Sequence, residues 1–311
     1  TTHTIIGAIA GFSIFYIGWA SVSWGYIVGI TFSWLITPVI AALLSGLLYF
    51  SAKRYVLNAD NPIEAGRQYI PIYAGMVGFS IAAITLNKGL KNTDIPNLIT
   101  ASIGGYDFIF TIFGLAFAVA LICYAISRIL LSHYVSKSEN PNIEGKFAVL
   151  MIFTACSIAF AHGSNDVANA VGPMAAVIST IENLGEIDDV ANIPEWILLT
   201  GAIGIVIGML TLGYKVIRTV GENITKLKPS KGFAAEMSTA IVVVIGSVSG
   251  IPLSTTHTLV GAVVGIGIFS SSKVNYNSIA QIGISWLITI PGGAILSIMF
   301  FVALSNMFGF S

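Results

Sequence analysis

Residues 1–11 read TTHTIIGAIAG and residues 255–265 read TTHTLVGAVVG. Seven of the eleven positions are identical and the other four stay apolar. Downstream, WLIT stands at 34–37 and again at 286–289, at nearly the same distance from its TTHT. The chain therefore carries an internal repeat. In a membrane, two related halves are the mark of many secondary transporters, which bind substrate where the halves meet.

Composition puts the repeat in a membrane. The 311 residues are 55% hydrophobic and 9% charged, whereas soluble domains average about 25% charged. Apolar segments recur at 2–19, 26–50, 70–86, 106–131, 148–176, 196–214, 233–250, 256–270 and 278–304. Most of them suffice to cross a ~30 Å hydrocarbon core. A soluble globular domain is excluded, and a multi-pass protein of the cell membrane is expected, with the lipid bilayer as its partner. Zero net charge leaves no basic footprint for nucleic acid. Cys123 and Cys156 lie in apolar runs and read as small buried hydrophobes rather than a disulfide or metal pair. No charged-then-apolar leader opens the chain. Residue 1 falls inside a motif whose second copy is preceded by Pro252-Leu253-Ser254, so the natural chain is expected to continue upstream.

Loop charges set the orientation. The loop at 51–69 holds Lys53, Arg54 and Arg67; 128–147 holds Arg128, Lys137 and Lys146; 215–231 holds Lys215, Arg218, Lys226, Lys228 and Lys231. These three are predicted to face the cytoplasm. The loop at 177–195 has no Lys or Arg but carries Glu182, Glu186, Asp188, Asp189 and Glu195, and is predicted outside together with 87–105. With Lys231 and Lys273 both inside, 233–250 and 256–270 form a re-entrant hairpin with its tip at Gly250-Ile251-Pro252-Leu253-Ser254-Thr255-Thr256. Irregular backbone at that depth survives only where it lines a cavity. The first copy, at 2–19, comes out with the opposite sense, which makes an inverted repeat. Two plain spans over 233–270, with Lys273 outside, remain the alternative.

Two motifs carry chemistry. The first is AHGSNDVANAVGP at 161–173, in the middle of the segment 148–176. Asp166 is an ionisable group near membrane centre, which by default marks function. Asn165, Asp166 and Asn169 can project to one side of a helix. Gly163 and Ser164 are predicted to interrupt that helix, leaving carbonyl, Asp and Asn oxygens for a small cation. Capping of a broken helix by Ser164 or Asp166 is the plainer reading. The second motif is Ser254-Thr255-Thr256-His257, whose hydroxyls and amides at a helix start suit an anion. Thr1 and Thr2 are its counterpart. Hydroxyls bonding back to the preceding turn are the plainer reading there. His3, His162 and His257 read as structural rather than as proton relays. Glu236 reads as a cytoplasmic surface carboxylate. Gly7, Gly11, Gly261 and Gly265, spaced by four, read as helix-packing positions. No Lys or Arg lies near the predicted midplane, so an anion there needs a co-bound cation, which points to coupled uptake.

At these residues a family becomes recognisable. HGSNDVANAVGP and GIPLSTTHTLVGAVVGIG closely resemble the two signature stretches of the inorganic phosphate transporter (PiT) family. The resemblance is dense over 147–304, extends to 1–50 through the TTHT copy, and rests on pattern alone between them. It implies an all-α integral membrane protein, an inverted-repeat transporter with discontinuous helices and re-entrant helical hairpins. Residues 1–50 are then the remainder of the first repeat, 51–146 the connecting spans and 147–311 the second repeat. By the same resemblance Ser254, Thr255 and Thr256, with Thr1, Thr2 and Asn165, hold phosphate, while Asp166, Asn169 and Asn165 hold sodium. Sodium is the coupling ion, no other cofactor is implied, and a homodimer is compatible. The first-half Asn-Asp helix of the family is absent here. From the spacing between Asn165 and Thr255, roughly a hundred upstream residues are expected to supply it.

The leading expectation is therefore cation-coupled symport of inorganic phosphate by alternating access, with sodium preferred to protons because neutral Asn oxygens surround one carboxylate. The rivals are a proton-coupled phosphate or sulfate permease on the same scaffold, an anion channel, and an intramembrane hydrolase with Ser254 as nucleophile and His257 as base. No motif such as Gly-x-Ser-x-Gly supports the last, and no enzyme is expected.

Overall fold

The structure, a computed structural model, describes residues 2–86, 108–135, 142–182, 194–248 and 253–309, with the side chains of residues 108, 109, 133–135, 164, 165, 168, 247 and 248 outside that description. The described residues are helical: α1 (Thr2–Tyr16), α2 (Trp24–Ala52), α3 (Pro62–Ile84), α4 (Phe108–Val135), α5 (Ile143–Glu182), α6 (Glu195–Arg218), α7 (Pro229–Val248), α8 (Thr255–Phe269) and α9 (Tyr276–Phe308). Each apolar segment read from the sequence corresponds to one of these helices. The reason is physical: hydrocarbon offers no water to the backbone, so every N–H and C=O must be satisfied within the segment.

Among the described residues, five helices are long and apolar enough to cross a membrane: α2, α4, α5, α6 and α9. Helix α3 is also long enough, at 23 residues or ~34 Å, but its first turns carry Glu64 and Arg67. Its start is fixed by Asn61, whose side chain accepts from the Glu64 N–H at 3.3 Å, and by Pro62 in the first turn. Helices α1 and α8 have 15 residues each and reach only ~22 Å, short of the core thickness. Helix α8 packs against α7, which fits a hairpin that enters and returns. The tip residues Gly250, Ile251 and Pro252 lie outside the described residues.

The sequence predicts a break at Gly163 and Ser164, but α5 runs as one 40-residue helix from Ile143 to Glu182. Glycine in a helix interior costs only ~1 kcal/mol relative to alanine. Freed backbone groups in hydrocarbon cost several kcal/mol each, so one glycine does not open the helix.

By contacts the chain forms two compact units: residues 1–32, 163–219 and 275–311, and residues 33–162 and 220–274. Helices α2 and α5 pass from one unit to the other. The partition 1–50, 51–146 and 147–311 follows the repeat and not these contacts. In the first unit α1 lies along α9, with Phe12 edge-on to Phe301 at 4.8 Å between centroids. In the second, α3 lies along α4. Tyr73, Phe147 and Phe233 form an aromatic cluster with centroids 5.5 to 6.0 Å apart, and Ala82, Ala116, Ala161, Ala240 and Val243 form a small-residue core in the same unit.

Candidate functional site

In the second unit, the hairpin helix α8 starts at the Ser-Thr-Thr-His motif. Ser254 has extended backbone angles and is the N-cap; its Oγ accepts from the His257 N–H at 3.4 Å. That bond uses a lone pair and leaves the Ser254 proton available to a ligand. Thr258 donates to the Ser254 carbonyl at 2.9 Å. Ser254 and Thr255 are buried and Thr256 is exposed. The three hydroxyls therefore sit at the positive end of a helix whose first amides point out of it.

His257 is buried, and its Nδ1 lies 3.4 Å from the main-chain oxygen of Trp34. The cause is Pro38, inside α2. Proline has no N–H, so the carbonyl four residues earlier, that of Trp34, loses its helical donor. A carbonyl only accepts, so Nδ1 carries the proton. The histidine thus ties the hairpin helix to the neighbouring long helix α2. Ser45 adds a second tie, donating to the Ala262 carbonyl at 2.8 Å. A Cβ on Gly261 would overlap Pro38, and one on Gly265 would overlap Ala42. Hydrolysis finds no support in this geometry, because Ser254 meets the His257 main chain while the imidazole Nδ1 turns to Trp34.

In the first unit, the TTHT helix α1 meets the Asn-Asp segment. Asn169 Nδ2 donates to Thr2 Oγ1 at 3.3 Å. Asp166, three residues earlier on the same face of α5, is half-buried. The side chain of Asn165, and all of Thr1, lie outside the described residues. His3 is buried and stacks parallel to Trp286, with centroids 6.5 Å apart. A Cβ on Gly7 would overlap the Ile290 carbonyl and one on Gly11 would overlap Ala294.

These contacts repeat. His3 with Trp286, Gly7 with Ile290 and Gly11 with Ala294 are spaced along the chain like His257 with Trp34, Gly261 with Pro38 and Gly265 with Ala42. Each TTHT helix is thus seated on the WLIT helix of the other copy.

Sequence reading misplaced one group. Glu236 is no surface carboxylate: it sits between buried Ala235 and Met237 on α7, and Thr154 of α5 donates to its Oε2 at 2.5 Å. The available signal was a lone carboxylate in the apolar run FAAEMSTAIVVV. Its nearness to lysines in sequence hid that.

Residues 1–297 match the sequence profile of the phosphate transporter family. The chain belongs to that family. Among its relatives, a Haemophilus influenzae protein named a putative phosphate permease is 41% identical over 308 residues, spanning 99% of this chain and 72% of that one. A Pyrococcus abyssi protein of the same name is 34% identical over 304 residues, 97% of this chain and 71% of its own. Among solved structures, one named "The sodium-dependent phosphate transporter" superposes with a TM-score of 0.83 at 32% identity, covering 98% of this chain and 73% of that one. This member of the phosphate transporter family is accordingly a multi-pass membrane protein and not an enzyme.

Proposed function

We propose that the protein is a symporter that carries inorganic phosphate across the cell membrane with sodium, by alternating access. The observation that carries this reading is the Asn169–Thr2 hydrogen bond. It joins the residue type suited to a cation with the residue type suited to an oxyanion. Likeness to a solved sodium-dependent phosphate transporter supports sodium and phosphate as the transported pair.

In this reading Ser254, Thr255 and Thr256 donate to phosphate oxygens at the start of α8. Thr1 and Thr2 play the equivalent part in the first copy, and Asn165 shares in holding the anion. Asp166, Asn169 and Asn165 offer one charged and two neutral oxygens to sodium, a hard cation that prefers oxygen. The cation offsets the anion's charge where no Lys or Arg does so. The two copies of the TTHT and WLIT elements form an inverted repeat, and the assembly is a homodimer.

The test is uptake of labelled phosphate into vesicles under a sodium gradient, a proton gradient, or neither. Uptake should follow sodium and resist excess sulfate. Asp166→Asn should abolish the sodium dependence while the protein still inserts. Uptake that follows protons, or that sulfate suppresses, rejects the assignment of ion or substrate.

A further inference from the structure

Two guanidinium groups face one cleft away from the residues assigned above. The cleft lies between the start of α3 and the end of α4 and has a volume of about 460 Å³. Glu64, Arg67 and Gln68 line it from α3, and Tyr124, Arg128 and Ser132 from α4. The two helices are therefore antiparallel there. Both flanking loops, 51–69 and 128–147, are rich in Lys and Arg, which marks this end as the inner membrane face.

The charge in the cleft is unbalanced. Arg67 and Arg128 contribute two positive charges, and Glu64 one negative, with its Oε2 3.2 Å from Arg67 Nη1. Ser132 donates its proton to the Ile129 carbonyl at 2.7 Å, so the added neutral donors are the Gln68 amide and the Tyr124 hydroxyl. This donor set fits a phosphate oxyanion, which guanidinium forks grip with paired N–H bonds.

Depth narrows the source. Arg128 stands one turn from the end of the apolar stretch Phe110–Ser132, at the level where headgroups replace hydrocarbon. On the deeper side, Ile72 lines the cleft and is 47% exposed, and Leu121, on the face of α4 that carries Tyr124 and Arg128, is 53% exposed. A cationic cleft with a greasy track leading away from it matches one kind of molecule. We propose that the Arg67–Arg128 cleft binds a phosphate group at the inner membrane face, borne by an anionic phospholipid. Free inorganic phosphate presents the same oxyanion, and the experiment separates the two.

Purified protein in detergent is exchanged against phosphatidylglycerol, phosphatidylcholine or inorganic phosphate, and retained ligand is read by native mass spectrometry. Phosphatidylglycerol should be held in preference to phosphatidylcholine. Arg67→Gln and Arg128→Gln should each lower its retention about fivefold, the worth of one juxtamembrane arginine. Glu64→Gln should raise it, and this variant keeps the test alive if an arginine variant folds poorly. Arginine-dependent retention of inorganic phosphate, without discrimination between the lipids, gives the cleft to the free ion and overturns the lipid assignment. Equal retention of both lipids by wild type and variants, with no arginine-dependent phosphate, overturns the proposal altogether.

Discussion

The Nδ1 atom of His257 stands 3.4 Å from the main-chain oxygen of Trp34, a residue 223 positions earlier in the chain. Pro38 makes that carbonyl available, and the hairpin helix closes on it. The TTHT sequence is thus read by a different stretch of chain, the WLIT of the other copy. Removing the histidine takes a donor from a buried carbonyl, a loss of about 1–3 kcal/mol. His257→Phe should therefore lower the unfolding temperature in detergent. Pro38→Ala returns a main-chain N–H to Trp34, so in that background the same substitution should cost less, with a coupling above about 0.5 kcal/mol. Strictly additive losses would show that proline and histidine do not share the carbonyl.

Close approach of helices gives a second expectation. A side chain at Gly261 would run into Pro38, and one at Gly7 into the Ile290 carbonyl, both main chain rather than a yielding side chain. Gly261→Val and Gly7→Val should each destabilise by at least the ~1–3 kcal/mol typical of overpacking and cut the yield of monodisperse protein. Gly163 is the contrast, since nothing lies within 4 Å of its added Cβ. Gly163→Ala should gain up to ~1 kcal/mol of helix stability. A Gly261→Val protein as stable as wild type would refute the packing.

Much of this was legible in the chain itself. Long apolar runs dictate membrane helices, and loop lysines dictate their sense. Glycines repeating at Gly261 and Gly265 announced tight packing. The partner did not show, because WLIT follows TTHT within each copy and nothing in that spacing says that each TTHT packs on the WLIT of the other copy. Gly163 suggested a break because its local cost was weighed without the larger cost of opening a helix in hydrocarbon. Glu236 looked solvated because Lys228 and Lys231 precede it, whereas its own turn points to Thr154.

That Thr154–Glu236 bond makes a third prediction. A hydroxyl donating to a carboxyl oxygen at 2.5 Å ties α5 to α7, and a lost hydrogen bond costs about 0.5–1.5 kcal/mol. Thr154→Val keeps the shape and removes the donor, so it should lower thermal stability by that order. Thr154→Ser should restore it. If Glu236→Gln abolishes the difference that Thr154→Val makes, the bond is the cause; if the difference persists, lost packing is.

The last expectation concerns Thr2 and Asn169, whose side chains meet at 3.3 Å. If they act together in coupled uptake, each is useless without the other. Thr2→Val and Asn169→Leu should each depress sodium-driven phosphate uptake, and the double variant should be scarcely worse than either single one, as for residues that work as a unit. Thr2→Ser keeps the hydroxyl and should retain most activity. The sodium concentration for half-maximal uptake should rise in Asn169→Leu, because an oxygen for the cation has gone. Multiplicative losses in the double variant, with an unchanged sodium requirement, would show that the hydrogen bond only fastens α1 to α5 and that coupling resides elsewhere.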